Sequence, residues 1–144
     1  MSPTREIDMI FFDIGGTLGE ADPHTRTFVP YPSSAEMLRA LREDLGLRIG
    51  IVTTLGPMLT NAEALELLRS AGLDVHLDPA AFVSDHDASA AKPHVETYQF
   101  AAAKAGVPIG RCLYVGENLL EILGAQAAGM KTVLKPCPPG RELP

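Results

Sequence analysis

The sequence predicts an α/β fold: one domain built on a parallel sheet with helices on both faces. Three observations carry this. Apolar runs of strand length alternate along the chain with stretches of helical periodicity. The first run, Ile7 to Phe12, is apolar except for Asp8, as expected of a strand covered on both faces. The length of 144 residues, with 46% hydrophobic and 21% charged residues, suits one sizeable core. No internal repeat or second domain is visible.

Taken in order, residues 1–6 are polar and expected to be loose, and Ile7 to Phe12 is the first strand. Residues 18–32 hold Asp22-Pro23, Pro30 and Pro32, which exclude a regular helix. They are expected to form an irregular flap above the first strand. Ser33 with Glu36 has capping-box spacing. Met37, Leu38, Leu41 and Leu45 then share one helical face, with Gly46 as the stop. Leu47 to Thr53 is the second strand, ending on the hydroxyls of Thr53 and Thr54. Thr60 and Glu63 repeat the capping-box spacing, and the helix they open runs to Gly72. Val75–Leu77 and Phe82–Ser84 read as short strands, and Asp85–Ala91 as a surface loop. Lys92-Pro93 opens the next helix, with proline at its first position, and an alanine-rich stretch carries it to Gly106. Arg111 to Val115 is a strand, followed by Gly116-Glu117-Asn118 and a helix ending near Gly129. Met130 to Leu134 is the last strand. Residues 1–134 are thus the domain. Residues 135–144, with four prolines, read as a disordered tail.

Bulk chemistry narrows the function. A net charge of -6 argues against sequence-independent nucleic-acid binding, which needs clustered Lys and Arg. Cys112 and Cys137 have no metal-ligand spacing and make no disulfide framework, so a reducing compartment is expected. No basic region followed by an apolar core opens the chain, and no apolar run approaches the roughly 18 residues of a membrane span. A soluble cytoplasmic protein is expected, with no nucleic-acid or membrane partner.

The chemistry concentrates at strand ends. In parallel α/β sheets ligands sit at the carboxyl ends of the strands. Asp13 is the first polar side chain past the first strand. Gly15 and Gly16 let the backbone approach a ligand and offer N–H groups to an anion. Thr53 ends the second strand, Lys92 precedes a helix, and Glu117 and Glu121 flank the turn after Val115. Together these are a hydroxyl, an ammonium and carboxylates, a set suited to phosphate. Oxygen-only ligands favour Mg²⁺. Lys92 and the metal would neutralise phosphoryl oxygens, and Thr53 would donate a hydrogen bond. Glu20, Asp22 and His24 on the flap, and His76, His86 and His94 elsewhere, read as solvated or structural residues.

At these residues the sequence resembles the haloacid dehalogenase superfamily of phosphotransfer hydrolases. FFDIGGTL resembles its first motif, normally Asp-x-Asp-Gly-Thr, and IGIVTT resembles the second. Lys92-Pro93 resembles the third. YVGENLLEILGAQAAGMKTVL is similar to the fourth, normally Gly-Asp-x-x-x-Asp. The four stand in the family's order across residues 7–134. The resemblance implies a single Rossmann-like domain of the haloacid dehalogenase type, without a cap domain. It also implies roles. Asp13 would attack phosphorus and form an aspartyl-phosphate. The Gly15 carbonyl, Asp13 and Glu117 would hold Mg²⁺, and Glu121 would either support the metal or support Lys92. Thr53 and Lys92 would bind the phosphoryl group of a phosphorylated substrate.

Three positions depart from the family pattern. Gly15 stands where the second aspartate, the acid–base residue, is usual; such help is typically worth roughly 10²–10⁴-fold. Glu117 and Glu121 replace aspartates, each adding about 1.5 Å of reach. A weakened phosphatase follows, with a non-catalytic binding or regulatory domain of the same fold as the alternative. Asp-Ile-Gly-Gly-Thr also resembles the first phosphate loop of actin-like sugar kinases, but those need two domains. The broken dinucleotide fingerprint Ile14-x-Gly16-x-x-Gly19 should open into a helix, which the flap prolines forbid. A capless cleft excludes water poorly, so a homo-oligomer or a large substrate is expected to cover it.

Overall fold

The computed structural model describes residues 6–22 and 24–135. β1 (Met9–Phe12) is buried along its whole length. β2 (Gly19–Asp22) and β3 (Thr27–Pro30) pair antiparallel as a separate hairpin. α1 (Ser34–Arg39) runs on into a π-helical turn, Ala40–Asp44, before β4 (Arg48–Thr53). α2 (Asn61–Ser70) is followed by two 3₁₀ turns and β5 (Phe82–Ser84). A four-residue helix, α3 (Asp85–Ala88), precedes α4 (Val95–Ala105). β6 (Cys112–Gly116), α5 (Leu119–Ala128) and β7 (Lys131–Leu134) complete the order.

The main sheet is five-stranded and parallel throughout, in the order β5-β4-β1-β6-β7. β1 is central, and its side chains alternate between the two faces. Met9 and Phe11 join Tyr98, Tyr114 and Ile122 in a core under α4 and α5. Ile10 and Phe12 join Leu38, Leu68 and Ile51 in a second core under α1 and α2. The continuous apolar run in the sequence is therefore the signature of two cores served by one strand. The predicted α/β class, with helices on both faces, is what the chain adopts. Among the described residues no second domain is inserted between β1 and β4, or between β4 and Lys92.

Helix boundaries follow the local chemistry unevenly. The Thr60 hydroxyl accepts from the Glu63 N–H at 3.1 Å while the Glu63 carboxylate accepts from the Thr60 N–H at 3.0 Å, the expected box. The box expected at Ser33 does not form. Ser33 is already helical in backbone (φ -91°, ψ -6°), and Glu36 is drawn instead to Arg39 at 2.6 Å. Val75–Leu77 is not a strand. Residues Asp74–His76 make a 3₁₀ turn, with Val75 62% exposed and no sheet face to cover it. Residues 18–32 are more regular than expected. Asp22 accepts from the His24 and Thr25 N–H groups at the hairpin tip, and Pro30 falls at the end of the ladder, where no further N–H is needed.

Two further expectations shift. Pro93 does not begin α4, which starts at Val95 with His94 as its N-cap. Pro93 is pinned from the other side. A Cβ on Gly124 of α5 would lie 2.2 Å from the Pro93 carbonyl oxygen and 2.9 Å from its Cβ. Only glycine allows α5 to come this close. Of the predicted tail, residues 136–144 lie outside the described residues. Lys135 itself is held: its N–H donates to the Gly116 carbonyl at 2.8 Å, and its ammonium sits 4.2 Å over the Tyr31 ring. Among the described residues no helix is long and apolar enough to cross a membrane.

The Gly124 contact yields a stability prediction. Gly124→Ala drives a methyl group into backbone that side-chain motion cannot clear. It is expected to cost about 1–3 kcal/mol in urea unfolding, as overpacking does. An unchanged midpoint would show that α5 and the Lys92-Pro93 segment can separate freely.

Candidate active site

Asp13 leaves β1 at its carboxyl end, where its own N–H donates to the Val115 carbonyl of β6 at 3.1 Å. A tight turn follows. The N–H groups of Thr17 and Leu18 both donate to the Ile14 carbonyl, with Gly16 at φ +79°. Asp13 is 9% exposed, and Thr53, at the end of neighbouring β4, is 5% exposed. Both line a cavity of about 240 Å³ at the carboxyl edge of the sheet. Gly15, Lys92 and Glu121 line it too. Five of the six residues selected from sequence therefore meet in one hollow, although they come from separate parts of the chain.

Lys92 organises the polar end. Its side chain is 1% exposed. Its ammonium has three N–H donors, and three acceptors surround it: Asp13 Oδ1 at 2.9 Å, the Tyr114 hydroxyl at 2.8 Å and Glu121 Oε1 at 2.7 Å. Tyr114 passes the contact on by donating to Glu121 Oε1 at 3.1 Å. Glu121 is fixed from its backbone as well. Its N–H donates to the Asn118 side chain at 3.2 Å, and its carbonyl accepts from the Tyr98 hydroxyl at 2.7 Å. Tyr98 and Tyr114 meet edge to face, with centroids 5.4 Å apart. Burial, and then the Asp13 and Glu121 carboxylates, push the Tyr114 hydroxyl far above the ordinary tyrosine value. It stays a protonated donor.

Glu117 stands apart from this group. It is half-buried in the β6–α5 turn and does not line the cavity. Among the described residues no group of three His, Cys, Asp or Glu side chains is disposed to hold a metal ion. Of the expected trio, Asp13 and Glu121 line the cavity and Glu117 sits in the adjoining turn. Asp13 and Glu121 converge on an ammonium, and the electrostatic partner that gathers them is Lys92. Oxygen donors that the lining offers a hard cation include the Asp13 carboxylate and the backbone of Gly15. Mg²⁺ commonly takes only one or two carboxylates and completes its shell with water and phosphate oxygens. The donor set fits it in that limited sense.

Two features escape the sequence reading. Tyr114 lies in an apolar strand and looks like a core aromatic; a hydroxyl two residues before a Gly-Glu turn was the available signal. The second is a clamp on the loop after β4. Asp85 Oδ1 accepts from the Leu55 N–H at 2.7 Å and Oδ2 from the Gly56 N–H at 3.1 Å, while His86 Nε2 donates to the Gly56 carbonyl at 2.6 Å. The segment expected as a loop is helical because Ser84 caps it. The Ser84 hydroxyl accepts from the His86 N–H, and Asp87 reaches back to the Ser84 N–H at 2.9 Å. Ser-x-x-Asp is a weaker box than Ser-x-x-Glu, and it is easily passed over.

Comparison with known proteins now identifies the fold's family. The family model described as haloacid dehalogenase-like hydrolase matches residues 25–129. The chain belongs to this family of hydrolases. Pyrophosphatase PpaX of Bacillus pumilus is 32% identical over 111 residues, covering 77% of this chain and 48% of that protein. PpaX of Halalkalibacterium halodurans is 31% identical over 111 residues with the same coverage. The chain spans about half the length of these curated relatives. A HAD phosphatase from Thermococcus onnurineus superposes with a TM-score of 0.66 at 29% identity, over 83% of this chain and 52% of that one. A dehalogenase crystal structure gives a TM-score of 0.77 over 92% of this chain and 86% of that one, and at 18% identity it shows the fold alone.

The Lys92 network generates a prediction. Tyr114→Phe removes one acceptor from a buried ammonium and one donor from Glu121, at an expected cost of about 1–3 kcal/mol. Because folding raises the Tyr114 hydroxyl's pKa, its stabilising effect is complete below the unfolded value of about 10 and is lost as pH climbs beyond it. The melting temperature of the wild type should fall more steeply above pH 10 than that of Tyr114→Phe. Parallel curves would show that Tyr114 is not shielded as its contacts indicate.

Proposed function

We propose that the chain is a phosphatase that works through Asp13. The observation that carries this reading is the buried ammonium of Lys92, 2.9 Å from Asp13 Oδ1 in the lining of an open cavity. A carboxylate attacking a phosphoryl group loses negative charge as the Asp13–phosphorus bond forms. The phosphoryl oxygens and the departing oxygen carry the charge onward. A fixed cation beside both stabilises that redistribution without reorganising in the step. Thr53, at the end of β4, lies in the same lining and donates its hydroxyl to the phosphoryl group.

The steps balance as two displacements. An Asp13 oxygen bonds to phosphorus while the bond from phosphorus to the leaving oxygen breaks and takes its electron pair outward. Water then adds to phosphorus, the Asp13–phosphorus bond breaks, and phosphate leaves with the carboxylate restored. Gly15 offers no proton in the first step and no base in the second, so solvent serves both. Mg²⁺, held by the Asp13 carboxylate and the Gly15 carbonyl, would supply further neutralisation of phosphoryl charge. The named activities of the relatives, phosphatase and pyrophosphatase, support phosphorus chemistry at this site.

Three measurements with p-nitrophenyl phosphate test the reading. Asp13→Asn should remove turnover to background; residual turnover equal to wild type ends the proposal. EDTA should lower the rate, and added Mg²⁺ should restore it. Gly15→Asp should raise kcat at least tenfold, a part of the roughly 10²–10⁴-fold that general acid–base catalysis typically supplies. Space allows it: a Cβ at Gly15 meets only the Ala21 Cβ, at 3.8 Å, and the backbone there is not left-handed.

A further inference from the structure

The cavity that holds Asp13 and Lys92 has a second wall of another character. α2 lines it with Leu67 and Leu68, and the loop after β4 lines it with Leu55 and Leu59. The hairpin adds Phe28, and the turn after β1 adds Ile14. Ile14, Leu68, Phe28 and Leu55 pack with the core under α1 and α2, whereas Tyr114 and Tyr98 belong to the core under α4 and α5. The cavity is therefore charged around Lys92 and largely apolar along α2 and the Leu55–Leu59 loop, with Thr54 and the hairpin's Asp22 and Thr27 as the polar groups at its edge. Much of the apolar wall is rigid. Leu59 is 8% exposed and Leu68 fully buried, and the Asp85 carboxylate holds the loop that carries Leu55.

Charge restricts what can enter. Among the described residues lining the cavity, Lys92 is the one cation, and Asp13, Asp22 and Glu121 are carboxylates. Its ammonium already meets Asp13 and Glu121. One phosphoryl group, with a divalent ion, is as much negative charge as these groups can balance. A second phosphoryl or a carboxylate on the leaving side would face leucine and phenylalanine with no cation to meet it, and would lose its hydration. The volume, about 240 Å³, lies below the usual range of about 300–1,000 Å³ for drug-sized ligands. It fits a phosphoryl group and one ring or a short branched chain.

Building on the phosphatase reading, we propose that the substrate is a monophosphate ester of a small phenol, whose ring rests on the wall formed by α2, the Leu55–Leu59 loop and Phe28. The wall replaces water against the ring while the open cavity leaves the bridging oxygen to solvent, and it selects against diphosphates and polyhydroxy phosphates.

Non-hydrolysable phosphonates separate binding from catalysis. Isothermal titration calorimetry of the full chain with Mg²⁺ compares benzylphosphonate, 2,3-dihydroxypropylphosphonate and methylenediphosphonate. Benzylphosphonate should bind with a Kd at least tenfold below both others, in line with the 10–200-fold discrimination of small apolar groups by such pockets. Leu67→Gln, at a half-buried position on the wall, should shrink that ratio several-fold. Equal or tighter binding of the diphosphonate or the dihydroxypropyl compound overturns the inference, whether or not the protein turns over a phosphate ester. The Asp13→Asn assay judges the phosphatase reading separately. Asp13-dependent turnover with a reversed phosphonate order removes the substrate class alone.

Discussion

A buried ammonium governs this structure. Removing a lysine head group from water costs several kcal/mol unless opposite charge and hydrogen bonds replace the lost hydration. Lys92 is compensated from three directions, by β1 through Asp13, by β6 through Tyr114 and by α5 through Glu121. Each acceptor arrives on a different element. The network therefore fixes how the Lys92 segment, the central strand and α5 sit relative to one another. Loss of one partner leaves a charge without compensation, which is far costlier than loss of an exposed pair such as Arg69–Glu66.

The backbone is shaped to permit this. Gly124 lets α5 settle against Pro93, one residue from the lysine. Gly116 serves a similar end, since a Cβ there would lie 2.9–3.2 Å from the ring and hydroxyl of Tyr114. Tyr98 supports Glu121 from below through its carbonyl. The polar cluster is thus reached by close packing of small residues around aromatic ones, and its geometry is inherited from the core under α4 and α5. On the other side of β1, the hairpin and α2 supply walls but no charge partner for Lys92. A carboxylate held between these two environments can be neutralised from one side while a substrate body is desolvated from the other.

The fold was legible because it is written in local signals that tertiary structure did not override. Met9 to Phe12 is the doubly covered strand its apolar run predicts, and Thr60 with Glu63 makes the cap its spacing predicts. Ser33 with Glu36 carried the same letters as that cap and failed, because Arg39 competed for the glutamate. The site was legible as a set of strand ends, since a parallel sheet delivers Asp13, Thr53 and the β6 turn to one edge whatever the loops do. Its electrostatics were not. The family resemblance leaves Glu121 to support either a metal or Lys92, and the position of Lys92 in the fold decides for the ammonium. Tyr114 was hidden by its own type: in a buried strand an aromatic residue reads as packing, and its hydroxyl matters only because Lys92 stops beside it.

The glycine at position 15 and the apolar wall across the cavity are chemically related. Without an acid at position 15, a leaving oxygen must depart with its full negative charge or wait for solvent. An alkoxide departs poorly under those conditions. A phenolate or similar delocalised anion departs without a proton, because its own ring spreads the charge. That ring is also the group an apolar wall of Leu55, Leu59, Leu67 and Phe28 would hold best. A polyhydroxy substrate would need the missing proton donor and would set most of its hydroxyls against leucine and phenylalanine, with Asp22, Thr27 and Thr54 as partners only at the edge. The glycine beside the nucleophile and the leucines across from it thus select for the same kind of molecule, one by reactivity and the other by solvation.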